Sequence, residues 1–198
     1  MSLQKINPRF AVLAIIMIVV AAMRIPNAAA LTPWSNFTPI GAMGIFSGAY
    51  FSNKWKAFAF PLITLLLSDL VINLFVYNGQ YGVMYNSWYW VYGGFVAIVI
   101  LGRLLLKKIK PLTLLLTGAT ATIAYWLIVD FGTFLVGCTN IITGEQMDHS
   151  FSSLVKCYAQ GAPYMKNFFL GTLVYSAIMF GAFEWMKTKH TSLQLKAV

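Results

Sequence analysis

Apolar residues run in six stretches, at about 10–26, 39–51, 57–77, 88–106, 112–136 and 167–186, with polar or charged residues between them. A helix that crosses a bilayer needs about 20 predominantly apolar residues, within a range of about 17–25. Five of the six stretches reach that length. The second has 13 residues, which is short for a full crossing at about 1.5 Å per residue. The pattern predicts an all-α membrane protein with six transmembrane helices, the second one short, in a single integral domain over residues 1–198. No internal repeat and no Ser/Pro/Gly-rich linker divides the chain, which weakens an inverted-repeat carrier.

Local signals refine this reading. The short second stretch holds Gly44-Ile45-Phe46-Ser47-Gly48, a GxxxG spacing that lets helix backbones approach closely, so Gly44 and Gly48 are expected to pack helix against helix. The Leu31–Thr38 segment before it is too polar to face lipid, and is expected to fold back over one end of the bundle. Pro111 stands where a helix start tolerates its missing N–H. The links 24–38, 78–87 and 137–166 share one side of the predicted membrane. The last contains Gly, Pro and Asn with Glu145, Asp148 and His149, and its length reads as a lid or a disordered loop. Cys138 and Cys157 both lie in it; a disulfide and two unpaired thiols stay open.

Composition agrees with the pattern. Apolar residues make up 59% of the 198 and charged residues 10%, against roughly a quarter charged in soluble domains. The net charge is +9, and eleven of the fourteen Lys and Arg residues fall in four short stretches: Lys5/Arg9, Lys54/Lys56, Arg103/Lys107/Lys108/Lys110 and Lys187/Lys189/Lys196. Apolar runs separate these stretches. Basic residues collect on the cytoplasmic side of membrane spans, so both termini are expected inside a bacterial cytoplasmic membrane. The charge then reports orientation, and a nucleic-acid partner is not expected. The N-terminus also resembles a secretory signal, but Arg24 and Pro26 stand where a cleavage region is normally neutral.

Asp69 carries the most chemistry, because it sits within the apolar third stretch, about 18 Å above its basic end. A carboxylate there costs at least about 2.5 kcal/mol on insertion scales, so it should face the bundle and find a partner. Asn73 and Tyr77 follow at i+4 and i+8 on the same face. Arg24 breaks the charge pattern at the far end of the first stretch. It either snorkels to lipid headgroups or turns inward to Asp69, Asp130 or an anionic solute. Asp130, near the outer end of the fifth stretch, is cheap to place at an interface and is kept as the second carboxylate of the candidate site. Trp34, Phe37, Tyr77, Tyr81, Tyr85, Trp88, Tyr89, Trp90 and Tyr92 crowd the outer half. They read as an interfacial belt, with some left over to wall a ring-containing ligand. Glu184 is expected to pair with Lys187 or another base near it.

Catalytic motifs are missing from the chain. It contains no GxxxxGK[ST], no HExxH and no GxSxG, so nucleotide hydrolysis by a P-loop, zinc proteolysis and nucleophile-elbow chemistry are not expected. No metal, no cofactor and no enzymatic activity are expected.

Several strings resemble a bacterial family of transport-type membrane proteins. They are Arg24-Ile25-Pro26-Asn27, Asn36-Phe37-Thr38-Pro39-Ile40-Gly41-Ala42-Met43, Gly48-Ala49-Tyr50-Phe51, Ser68-Asp69, Tyr92, Leu101-Gly102-Arg103 and the Tyr164–Gly171 segment with Asn167. That family in turn is similar to the substrate-binding S components of energy-coupling-factor (ECF) vitamin importers, and distantly to the small cobalamin-uptake proteins. The resemblance implies a six-helix bundle with an outward-facing vitamin pocket, partnered by an ATPase and transmembrane energy-coupling module. Cobalamin ligation through a cysteine before the fourth span does not carry over, since Met84-Tyr85-Asn86-Ser87 stands there. Nor does the small-residue docking face on the first span, where Ala14 is followed by Ile18. Arg24, Asn27, Asn36 and Thr38 would close the site. Asp69, Asn73 and Tyr77 would form its floor and one wall, and Tyr85, Trp88, Tyr89, Tyr164 and Asn167 would stack and hydrogen-bond. The expected function is uptake of a small heterocyclic micronutrient, with cobalamin only a weak lean. The alternatives are a non-transporting membrane scaffold and a solitary proton-coupled carrier that titrates Asp69.

Overall fold

The computed structural model describes residues 7–24, 33–80 and 82–193. It is all-helical, with six α-helices and no strand among the described residues. They are α1 (Pro8–Ala22), α2 (Ile40–Tyr50), α3 (Lys54–Val71), α4 (Trp88–Leu105), α5 (Pro111–Gly137) and α6 (Phe151–Lys189). A π-helical turn, Ile72–Val76, continues α3, and a 3-10 turn, Thr191–Leu193, follows α6. Capping sets several starts. Asn7 and Asn53 accept backbone N–H groups at the heads of α1 and α3, Ser150 does so for α6, and Pro8 and Pro111 open α1 and α5.

Four helices are long and apolar enough to cross a membrane: α3 with its π turn, α4, α5 and α6. Their outward faces fit lipid, with Leu67, Leu104, Leu116 and Ile178 all more than half exposed. An apolar helix that buries little of itself in protein needs an apolar solvent around it. In α5, 22% of the most apolar window is buried.

α2 is the centre of the bundle. At 11 residues, about 16 Å at the helical rise, it is short for a full crossing, yet ten of its residues are buried. It packs chiefly on α4 and α6. Lipid tails are as apolar as leucine, so close packing has to hold membrane helices together in place of the hydrophobic effect. Here the glycines supply it. A Cβ on Gly48 would lie 2.7 Å from the Arg103 nitrogen, and one on Gly102 would lie 2.7 Å from the Ile45 Cα. Backbones therefore touch where α2 crosses α4, and Gly44 meets Ile98 and Phe95 one turn away. On its other side α2 inserts Phe46 between Phe180 and Phe183, with ring centroids 5.2 and 6.0 Å apart.

Hydrogen bonds gather the basic stretches at one end. Arg9 donates to the Leu193 carbonyl at 2.6 Å and to the Tyr50 carbonyl at 3.2 Å. Arg103 donates to the Phe51 carbonyl at 3.1 Å and the Ser52 carbonyl at 3.2 Å. Glu184 pairs with Lys187 at 2.6 Å and accepts the Tyr50 hydroxyl, as the sequence led us to expect for the salt bridge. Lys5 and Lys196 lie outside the described residues.

The structure corrects the last link and span. Residues 137–166 are not one long loop, because α6 begins at Phe151 and runs 39 residues. That is about 58 Å at the helical rise, roughly twice a bilayer's hydrocarbon thickness. Pro163 lies inside it, where it removes one backbone donor, and the helix continues past it. The remaining link is a short hairpin in which Asn140 N–H donates to the Glu145 carbonyl and Met147 N–H to the Cys138 carbonyl, both at 2.8 Å. Cys138 and Cys157 form a disulfide that ties the end of α5 to α6. Phe134, Met147 and Leu154 pack around it.

Candidate functional site

Arg24 turns inward. Its Nη2 donates to Asp69 Oδ1 at 2.7 Å, with the two side chains 11% and 3% exposed. Its Nη1 reaches Ser68 Oγ and the Leu65 carbonyl. The second carboxylate oxygen of Asp69 accepts from the Tyr92 hydroxyl at 3.0 Å. A buried charge needs this treatment, since an ion taken out of water is stable only with an opposite charge and its remaining lone pairs satisfied. Ser68 and Tyr92 complete a site that sequence reasoning had built from Arg24 and Asp69. Tyr85 lies against the same group. Burial pushes its phenol up, and the nearby Asp69 charge adds to the shift, so Tyr85 stays a neutral donor.

The rest of the predicted stripe does other work. Asn73 is 3% exposed and falls in the π turn. Its Nδ2 donates to the Val83 carbonyl at 3.3 Å, which anchors the 78–87 link over α3. Tyr77 follows the π turn and donates its N–H to the Ile72 carbonyl at 3.0 Å. Trp88 and Tyr89 are 41% and 51% exposed. Trp88 packs edge-on to Tyr92 at 5.3 Å, so it touches the back of the Asp69 ligand rather than lining a cleft. Asn27, with Pro26, lies outside the described residues.

A second cluster opens between α5 and α6. Asn36, Thr122, Tyr125, Trp126, Asp130, Gly161, Tyr164, Met165 and Phe168 line a cleft of about 40 Å³. At roughly 10–15 Å³ per water-sized position, that is room for about three waters. Tyr125 and Phe168 stack face to face at 4.4 Å and form its inner wall. Asp130 Oδ2, Trp126 Nε1 and Thr122 Oγ1 are buried without a hydrogen-bond partner among the described residues. Trp126 Nε1 lies close enough to Asp130 to interact with the carboxylate but outside hydrogen-bond geometry. The close fit requires a glycine on α6. A Cβ on Gly161 would lie 2.8 Å from Asp130 Cγ and 3.1 Å from Trp126 Nε1.

A strap over residues 33–39 covers α6 beside this cleft. Asn167 holds it by donating to the Pro33 carbonyl at 2.7 Å and the Ser35 carbonyl at 2.9 Å. Gly171 lets it lie flat, since a Cβ there would be 2.7 Å from Thr38 N. Asn36 takes a left-handed conformation at φ 66, which an Asn side chain tolerates better than most. Thr38 Oγ1 and Thr172 Oγ1 are two more buried oxygens without partners among the described residues. Asn167 is therefore a positioning residue, while Asn36, Tyr164 and Asp130 reach the cleft. The described part of the 31–38 segment, from Pro33, folds back over the bundle as its polarity required.

Asp130 lies near the outer end of α5 as expected from sequence, but its Oδ2 is buried. With α6 beginning at Phe151, its first turns cover the end of α5 and enclose the carboxylate between two helices. Thr122, Trp126 and Phe168 went unnoticed, although Gly118, Thr122, Trp126 and Asp130 recur every fourth residue on one face of α5. No group of three or more His, Cys, Asp or Glu is placed to hold a metal ion among the described residues.

Residues 4–194 match a protein family described as a family of unknown function, DUF6580. The chain belongs to this family. The match covers the ion pair, the strap and both walls of the cleft, so the whole site lies within the DUF6580 region. No curated protein and no solved structure matches the chain.

Proposed function

We propose that this DUF6580 protein is the substrate-binding membrane subunit of a vitamin-type, ECF-like importer. It crosses the bacterial cytoplasmic membrane six times with both termini inside, and takes up a small heterocyclic micronutrient from the outer side. Two features support the orientation. The described basic residues of all four stretches share one end, and the Arg24–Asp69 pair, strap and cleft occupy the other. Cytoplasmic enrichment of Lys and Arg favours the basic end as the inner one. The observation that carries the binding role is the cleft itself, where a carboxylate oxygen, an indole N–H and a hydroxyl converge without hydrogen-bond partners among the described residues, beside stacked aromatic rings. Each such orphan costs about 1–3 kcal/mol, more for a charge, and apolar walls with a few convergent polar groups are how small-molecule sites are built.

A cleft of about 40 Å³ holds a fragment of a vitamin. A whole ring system enters when the 33–39 strap lifts from α6, and Asn167 is its latch. Uphill uptake requires an ATPase partner module, and we assign the chain no catalytic step. A thermal-shift screen of the purified protein against a vitamin panel tests this. Stabilisation by one compound, lost in Asp130→Asn, is the expected result; a panel that shifts nothing refutes it.

A second reading, a membrane scaffold that carries no solute, is favoured by the small cleft and by Asp69, whose two oxygens are both taken by protein groups. The same satisfaction argues against a carrier that titrates Asp69.

A further inference from the structure

Asp130 differs from the other acids of the bundle in having no counter-charge. The two ion pairs among the described residues are Arg24–Asp69 and Lys187–Glu184. Among the described residues its Oδ2 is buried and without a hydrogen-bond partner, and so is the Trp126 indole N–H, which lies beside the carboxylate but outside hydrogen-bond geometry. The one feature is a pure acceptor and the other a pure donor. The rings of Tyr125, Trp126, Tyr164 and Phe168 line the same cleft, and aromatic rings can attract cations. Gly161 lets the carboxylate pack directly against the α6 backbone, since a Cβ there would lie 2.8 Å from Asp130 Cγ.

We infer that this cleft binds a small organic ammonium that carries an oxygen acceptor, an amino-alcohol group. Its N–H groups donate to Asp130, its oxygen accepts from Trp126, and its carbon skeleton lies between the rings. The inference rests on the reading of the cleft as a solute site and adds the charge of the solute. The volume, about 40 Å³, suits a group of about four heavy atoms, close to the room taken by three waters. An anion is disfavoured, because the buried carboxylate repels it and the guanidinium nearby is already spent on Asp69.

Ammonium alcohols occur free and as phosphatidylethanolamine headgroups, and the test separates the two. Protein in phosphatidylglycerol nanodiscs is titrated with ethanolamine, 1-propanol and glycolate, a cation, a neutral isostere and an anion of similar size. Binding is read by saturation-transfer NMR. Ethanolamine is expected to bind at least about tenfold more tightly than either analogue, equal to about 1.4 kcal/mol. Asp130→Asn should lose that preference, Trp126→Phe should weaken ethanolamine binding, and Glu145→Gln in the exposed hairpin should behave as wild type. Far-UV circular dichroism confirms that each variant is folded. Phosphatidylethanolamine in the disc suppresses the ethanolamine signal if the headgroup is the natural occupant, and leaves it unchanged if the solute is free. Equal binding of 1-propanol or glycolate overturns the charge assignment and leaves the solute reading standing. No binding of ethanolamine in either disc, or an Asp130→Asn protein that retains the preference, overturns the inference, the cleft then holding only water.

Discussion

Replacing Arg24 by Met isolates the worth of the buried ion pair. The substitution keeps a long apolar stem but leaves Asp69, 3% exposed, with the Tyr92 hydroxyl and no counter-charge. Breaking a buried pair by removing one partner typically costs about 3–5 kcal/mol, because the remaining charge is uncompensated. For a chain of this size each kcal/mol moves the midpoint by about 2–4 °C, so Arg24→Met should unfold about 6–20 °C early. The double variant Arg24→Met/Asp69→Leu removes both charges, and exchanging a buried pair for apolar residues is often neutral or stabilising. It should recover most of the loss. The assay is thermal unfolding of detergent-solubilised protein, followed by tryptophan fluorescence, for wild type, both single variants and the double. Additive losses in the double variant would refute the pairing, as would an Arg24→Met midpoint within about 2 °C of wild type.

Three further perturbations probe separate parts of the fold. Reducing Cys138–Cys157 opens a loop with a sequence separation of 19, which should cost about 3 kcal/mol in the chain-entropy model; an unchanged midpoint in reductant would contradict this. Gly48→Ala puts a methyl 2.7 Å from the Arg103 nitrogen, and overpacking of this kind costs about 1–3 kcal/mol. Gly181→Ala, where a Cβ would meet nothing within 4 Å, is the silent control for the same unfolding measurement. Asp148, fully exposed, accepts bonds from Ser150 and from Ser153 at the head of α6, which hold its carboxyl below the ordinary aspartate range. A depressed folded value contributes stability above the unfolded value of about 3.9, lost as pH falls through the folded value. The hydrogen-exchange protection factor at the first turn of α6, the observed rate corrected for the intrinsic rate at each pH, should therefore fall below about pH 4, and less so in Asp148→Asn.

The parts of this protein legible from its sequence are those where the bilayer penalises error. A carboxylate at position 69 inside an apolar run had to find a partner, and Arg24, the one arginine outside the basic stretches, is its partner. Gly44 and Gly48 announced a backbone contact by spacing alone, and the polarity of residues 31–38 excluded a lipid-facing helix. The start of α6 was not legible. Gly161, Pro163 and the polar residues around them weaken helix propensity locally, but helix propensity is overridden by packing, here against α5 and the disulfide. That one boundary had consequences. With residues 151–166 taken as loop, Asp130 stood at a membrane surface; with them helical, it is enclosed opposite Gly161. The four-residue period of Thr122, Trp126 and Asp130 was present in the sequence but masked by the apolar residues around the rest of α5, which face outward.

Native mass spectrometry of protein released gently from its membrane tests the solute-binding claim most directly. The account predicts a stoichiometric small molecule on wild type that is reduced or lost on Asp130→Asn. Wild-type protein that carries nothing, and takes up nothing from a panel of vitamins and small amines, would contradict it and leave the scaffold reading in its place.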